Sequence, residues 1–354
     1  MAIQLDDYRL LGRSGLRVSP LSLGTMTFGA EGWGTDYDEA QRMFNTYKAK
    51  GGNFIDTANF YSNGESERMV GKLVKDHREE MVVATKYSLT MKPGSANMSG
   101  NHRKNMVQAV EASLQRLNTD YIDVLYLHMW DNRTPAEEVL RAFDDLVRAG
   151  KIIYAGISDT PAWQISRMQA VADLRGWSPL IALQVPYNLT ERTVEREFMP
   201  MAEEMGLGVL PWSPLAGGVL SGKYSRADLQ DNSTNNNDDM SARKNINLAT
   251  GRLSERTLDI AEVVVQIAKE HERTPAQIAL AWTLLNPAVT SPLIGARTFK
   301  QFDDNLAALD VEFSAEQIQQ LDKVSAIDPC FPHNMIDQPT GNMMLGNVSV
   351  AKNS

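Results

Sequence analysis

Short apolar runs that read as β-strands alternate with amphipathic helical patterns along almost the whole chain. Eight such runs are Leu21 to Leu23, Asn53 to Asp56, Met81 to Lys86, Ile122 to His128, Tyr154 to Ser158, Ile181 to Val185, Gly208 to Pro211 and Ser291 to Ile294. Between them apolar residues recur at helical spacing. Ala40, Met43, Phe44 and Tyr47 mark a helix that starts near Asp38 and stops at Gly51-Gly52. Val139, Leu140, Phe143, Leu146 and Val147 precede Gly150, and Val194, Phe198, Met201 and Met205 precede Gly206. These stripes are faces that rest on a sheet, each closed by a glycine stop. Strands alternating with such helices form parallel βα units. The fold expected is α/β, a (β/α)8 barrel, in one domain over residues 1–354.

Three segments fall outside the repeat. Residues 8–20, from Tyr8-Arg9-Leu10 through Ser14-Gly15 to Arg17-Val18-Ser19, read as two short strands around a turn. Residues 215–253 form a long stretch after the seventh strand, whose middle, Asp231 to Asp239, is too polar to fold alone. A connection of that length tends to be functional or disordered, and the expectation is a cofactor-covering loop with a mobile middle. The tail over 327–354 holds Pro329, Phe331, Pro332 and Pro339 and has little periodicity. A disordered terminus and a flap facing the substrate are both open for it.

Composition narrows the function. With 43% hydrophobic residues the chain can bury a large core. The net charge of −9, without a basic tract, does not suit nucleic acid. Cys330 is the single cysteine, which excludes an internal disulfide and fits a reducing cytosol. No apolar signal region or membrane-length apolar run is present, so a soluble cytoplasmic protein is expected. The five histidines (His77, His102, His128, His271 and His333) lack ligand-spaced pairs, so no metal site is expected. No Gly-x-Ser-x-Gly elbow suggests nucleophilic hydrolysis.

The chemistry gathers at four residues that close or follow three consecutive strands: Asp56, Tyr61, Lys86 and His128. A tyrosine with a pKa near ~10 holds its proton at neutral pH. A nearby ammonium favours the tyrosinate and brings that pKa nearer the working range. Asp56 can hold Lys86 charged, and His128 can orient a substrate oxygen toward Tyr61. Tyr61 would then be the general acid in carbonyl reduction and the base in alcohol oxidation. Singly each residue is ordinary; together they suit proton transfer at a carbonyl oxygen.

The ordered pieces Leu23-Gly24-Thr25-Met26, Asp56-Thr57-Ala58 with Tyr61, Thr85-Lys86, Leu127-His128, Gly156-Ile157-Ser158 and Trp212-Ser213-Pro214-Leu215 resemble the aldo-keto reductases, from about residue 8 to about 306. Further runs resemble the aryl-alcohol dehydrogenase branch: Gly100 to Met106, His128-Met129-Trp130-Asp131 and Ser158-Asp159-Thr160-Pro161-Ala162-Trp163. The resemblance implies that the hairpin plugs the barrel bottom and that the cofactor is NADP(H). No Gly-x-Gly-x-x-Gly follows the first strand, so a Rossmann site is not expected. Barrel phosphate sites instead use the loops after the last two strands and helix N-termini.

The resemblance puts the nicotinamide on Trp212, its carboxamide on Ser158, Asp159 and Gln184, and the pyrophosphate under Ser213, Pro214, Leu215, Gly218 and Lys223. Gly24, Thr25, Met26, Asp56 and Gly295 complete the expected cofactor set. Arg297, Gln301 and Asn305, spaced by four and read as one helix face, would take the 2′-phosphate and adenine. Asp159 departs from the Asn common in the family, and a carboxylate can accept from the carboxamide but cannot donate to it. Phe28, Trp33, Tyr87 and Trp130 are the expected substrate walls, favouring flat or apolar substrates.

Three functions remain open. They are an NADP(H)-dependent reductase of aromatic or bulky carbonyl compounds, a dedicated ketone reductase for a natural product or xenobiotic, and a nucleotide-sensing regulatory subunit resembling potassium-channel β subunits. The partner expected is a small carbonyl or alcohol. His128, where a steroid double-bond reductase is expected to carry Glu, speaks against that chemistry.

Overall fold

The computed structural model describes residues 3–230, 239–336, 346 and 348. It opens on an antiparallel hairpin, β1 (Arg9–Leu10) against β2 (Arg17–Val18), and continues into eight parallel strands. These are β3 (Ser22–Gly24), β4 (Phe54–Asp56), β5 (Val82–Tyr87), β6 (Ile122–Leu127), β7 (Ile152–Ser158), β8 (Leu180–Pro186), β9 (Gly208–Trp212) and β10 (Leu293–Ile294). They pair in the order β10-β3-β4-β5-β6-β7-β8-β9. Ahead of β10, the N–H of Thr290 donates to the carbonyl of Val209 at 2.8 Å, and Val209 and Val289 form a parallel bridge. The sheet thus curls back on itself as a nearly closed (β/α)8 barrel.

The crossovers are α1 (Tyr37–Ala49), α2 (Glu65–Val74), α3 (Arg103–Leu117), α4 (Ala136–Arg148), α5 (Ala162–Arg175) and α6 (Val194–Met205). Between β9 and β10 lie α7 (Ala227–Gln230), α8 (Asp239–Ala249), α9 (Glu255–Glu270) and α10 (Pro275–Thr283); α11 (Phe299–Leu306), α12 (Ala315–Ser325) and α13 (His333–Ile336) follow the barrel. Helix α1 starts where the Asp36 carboxylate accepts the N–H of Glu39 and ends at Gly51, whose φ of 90° requires no Cβ. Its stripe of Ala40, Met43, Phe44 and Tyr47 is buried.

Strand alternation splits the core into two layers. Ile55, Val83, Leu125, Leu127 and Ile157 face the helices and join the large outer core. Phe54, Val82, Ala84, Val124, Tyr126, Ala182 and Leu210 fill the barrel interior with Leu11 and Val18 of the hairpin. A Cβ at Gly12 would fall 2.2 Å from the carbonyl oxygen of Ile181, so the hairpin sits tightly against the barrel at the strands' N-terminal ends. The plug expected from the sequence is therefore in place.

The segment 215–253 carries more regular structure than expected: a 3-10 turn at Ala216–Ser221, then α7 and α8. Its polar run at 231–238 and most of the tail beyond 336 lie outside the described residues. Among the described residues no helix is long and apolar enough to cross a membrane.

Candidate active site

The alternation that buries Phe54, Ala84, Tyr126, Ala182 and Leu210 in the barrel sends the next inward residue of each strand toward the C-terminal mouth. Those residues are Asp56, Lys86, His128, Gln184 and Trp212. In a barrel of this kind the mouth is where functional groups gather.

Lys86 is fully buried, and its Nζ donates to Asp56 Oδ2 at 2.5 Å, to the Thr57 carbonyl at 2.9 Å and to the Tyr61 hydroxyl at 3.3 Å. The other Asp56 oxygen, Oδ1, accepts from Gln184 Nε2 at 2.8 Å. Tyr61 opens a 3-10 turn at Tyr61–Gly64 in which Ser62 and Asn63 are left-handed, with φ of 48° and 53°. The ring of His128 stands edge-on to that of Tyr61, with centroids 6.0 Å apart and planes at 83°. The four residues expected to work together are in one place.

Burial is the largest influence on each group. It holds the Tyr61 phenol above its ordinary pKa, with Lys86 pulling the other way. The expectation that Lys86 would bring this pKa down thus needs correcting: loss of water outweighs the ammonium. Burial and then Lys86 push His128 down to about 3, so its imidazole is neutral. Burial disfavours the Lys86 ammonium, but Asp56 and Tyr61 more than offset this, and Lys86 stays charged.

Two of the expected substrate walls are elsewhere. Tyr87 follows the inward Lys86, so it faces the helices; it is buried edge-on against Phe143, and its hydroxyl donates to the Asn101 carbonyl. Phe28 is fully buried in the outer core. Trp130 is half-buried, and Trp33 is exposed with the Arg243 guanidinium 5.4 Å from its ring centroid. Met26, Phe60, Met98 and Met129 on the loops after β3 to β6 are exposed. Sequence reasoning passed over these last three as substrate contacts because nothing in spacing marks an apolar loop residue as a rim.

The branch motifs meet in one network. Asn101 Nδ2 donates to the Met129 carbonyl at 2.8 Å, and the Asp131 N–H donates to Asn101 Oδ1 at 2.7 Å. In return Asp131 Oδ2 accepts the Asn101 N–H at 2.8 Å. The Trp130 N–H donates to the Asp159 carbonyl at 3.2 Å, and Asp159 Oδ1 accepts from Trp212 Nε1 at 3.2 Å. Asp159 was expected to meet the carboxamide; here its carboxylate engages the indole.

Of the other expected cofactor residues, Thr25 is buried, with its N–H and hydroxyl both donating to the Asp56 carbonyl at 3.0 Å. Gly24 is buried, while Gly295 is exposed with only the Gly24 carbonyl oxygen, 3.8 Å away, near a Cβ position. Ser158 is buried, Ser213 and Leu215 are half-buried, Pro214 is buried, Gly218 has φ of 90°, and Lys223 is exposed beside it.

Arg297 does not share a helix face with Gln301 and Asn305: it precedes Thr298, the N-cap of α11, and its N–H donates to Gln301 Oε1 at 3.1 Å. Asn305 is buried. Glu39, which sequence reasoning missed, accepts the Phe299 N–H at 2.5 Å at the start of α11, and Arg42 stacks on the Phe299 ring at 4.5 Å. His102 is a helix cap: its Nδ1 accepts the Asn105 N–H.

Residues 20–326 match the family model described as the aldo/keto reductase family. A norsolorinic acid reductase of Aspergillus flavus is 37% identical over 95% of this chain and 86% of its own length. An uncharacterized oxidoreductase of Bacillus subtilis is 37% identical over 90% of this chain and 95% of its own. An aryl-alcohol dehydrogenase of Pestalotiopsis microspora is 34% identical over 94% and 85%. Members of this family are oxidoreductases that use nicotinamide cofactors, generally NADPH, on small carbonyl substrates. With matches of this length and that strand order, the chain belongs to the aldo/keto reductase family.

Proposed function

We propose that this enzyme interconverts aromatic or bulky carbonyl compounds and their alcohols with NADP(H), and that Tyr61 gives and takes the proton. The observation that carries the reading is the buried line Asp56–Lys86–Tyr61, linked at 2.5 Å and 3.3 Å, with a neutral His128 beside the phenol. Neutral imidazole can donate one N–H to a carbonyl oxygen and hold it near the Tyr61 hydroxyl. Lys86 stabilises the tyrosinate left after proton transfer, and Asp56 with Gln184 fixes Lys86.

A nicotinamide bound at this mouth supplies the hydride. The residues present suit such a cofactor. Trp212 offers a half-exposed indole face, Gly295 a bare backbone, and Arg297 and Lys223 cationic side chains suited to phosphate. Arg297 suits the 2′-phosphate of NADP through its bidentate fork, with Gln301 alongside. The 215–253 segment would cover the pyrophosphate through Ser213, Leu215, Gly218 and Lys223.

The exposed Met26, Phe60, Met98 and Met129 with Trp33 and Trp130 favour a flat apolar substrate. Relatives named aryl-alcohol dehydrogenase support that class. Relatives named for one compound, norsolorinic acid, favour the second reading, a dedicated reductase for one bulky carbonyl substrate. An NADPH-oxidation screen over aromatic aldehydes, ketones and sugars tests both. Turnover of many aromatic aldehydes supports the first, a single bulky ketone the second, and no NADPH oxidation with any carbonyl contradicts the activity itself.

A further inference from the structure

The carboxylate at position 159 stands where the family commonly has an amide, and hydrogen bonds tie this residue to Trp212 at the end of β9 and to Trp130 after β6. Its Oδ1 accepts from the indole N–H of Trp212 at 3.2 Å, and its backbone carbonyl accepts from the N–H of Trp130 at 3.2 Å. Its φ of 36° is left-handed, a conformation that Asp and Asn adopt more readily than other side-chain-bearing residues. Trp130 is held from the other side as well, because its neighbours Met129 and Asp131 are bonded to Asn101. Hydrogen bonds therefore link the β5–α3 loop, the Met129–Asp131 segment, Asp159 and the indole that ends β9.

We infer that Asp159 is a positioning residue: its carboxylate fixes the orientation of the Trp212 indole, and its backbone ties that support to the loop carrying Trp130. The inference rests on the reading of Trp212 as the ring that meets the nicotinamide. An indole can turn about its side-chain bonds, and a hydrogen bond to a carboxylate at its one polar atom selects a single orientation. That orientation sets the face presented to a stacked ring. Asparagine could accept the same indole N–H through its amide oxygen, but a carboxylate makes the stronger, charge-assisted acceptor.

Two variants of the full chain test this. Asp159→Asn keeps the acceptor and removes the charge; Asp159→Ala removes both. The indole N–H resonance of Trp212, assigned by its absence from Trp212→Phe, should shift in Asp159→Ala and stay close to wild type in Asp159→Asn. NADPH binding should weaken about tenfold in Asp159→Ala, as for loss of a hydrogen bond to a charged group, and by less than about threefold in Asp159→Asn. In a Trp212→Phe background, Asp159→Ala should add less than about twofold, since coupled residues are not additive.

An unchanged Trp212 resonance in Asp159→Ala, or full additivity with Trp212→Phe, overturns the positioning role and makes Asp159 a direct cofactor contact. If the wild type neither binds NADPH nor reduces any carbonyl, the functional reading fails, and the indole resonance still decides the Asp159–Trp212 link.

Discussion

Lys86 Nζ lies 2.5 Å from Asp56 Oδ2, with both side chains buried at the mouth of the barrel. An ion pair removed from water in this way is strongly asymmetric in its response to mutation. Asp56→Asn leaves the ammonium without its counter-charge, which should cost about 3–5 kcal/mol. Urea unfolding should show the lowered midpoint, and activity should fall as Lys86 becomes neutral. Exchanging both partners together should restore more stability than the sum of the single losses allows. Strict additivity in that double-mutant cycle would contradict the pairing.

Arg297→Ala should weaken NADPH far more than NADH. Only NADPH carries the 2′-phosphate, and a lost charge-assisted hydrogen bond costs about 1.5–3 kcal/mol, or roughly tenfold to a hundredfold in affinity. Tryptophan quenching, expected from stacking on Trp212, should give the titration signal. Equal loss for both cofactors would place the phosphate site elsewhere.

Trp130→Ala should reduce kcat/KM for a benzaldehyde-type substrate much more than for a short aliphatic aldehyde. The backbone of Trp130 is held by Asp159, so the variant loses a flat surface without releasing the loop. Stacking contributes about 0.5–1.5 kcal/mol beyond buried area, which sets the smallest selectivity change worth seeking. NADPH binding by the variant checks that it is folded. Equal effects on both substrates would remove Trp130 from the substrate pocket and favour the dedicated-reductase reading.

Much of this site is legible in the sequence, because strand period and residue type coincide there. Asp56, Lys86, His128, Gln184 and Trp212 are each two positions beyond an interior barrel residue, so the phase that fills the core also aims them at the mouth. Tyr87 fails by the same rule: one residue past Lys86 it must face the helices. Arg297 was read on a helix face because spacing by four ignores the cap, and Thr298 starts the helix two positions later than that pattern assumes. The Asn101–Asp131 bonds join loops 30 residues apart, and no local periodicity records such a contact. The Asp159–Trp212 bond, spanning 53 residues, is invisible for the same reason.

The most direct measurement is single-turnover reduction of an aromatic aldehyde by Tyr61→Phe across a range of pH. Burial raises the Tyr61 pKa, so the wild-type phenol stays protonated through neutral pH, and His128, with a pKa of about 3, does not titrate there. Wild-type reduction should therefore be level from about pH 5 to 9, while alcohol oxidation, which needs the tyrosinate, should climb as pH rises. Tyr61→Phe should lose about 10²–10⁴ in rate, with NADPH affinity nearly unchanged. A variant that keeps most of the wild-type rate and its pH dependence would contradict the assignment of Tyr61 as the proton donor.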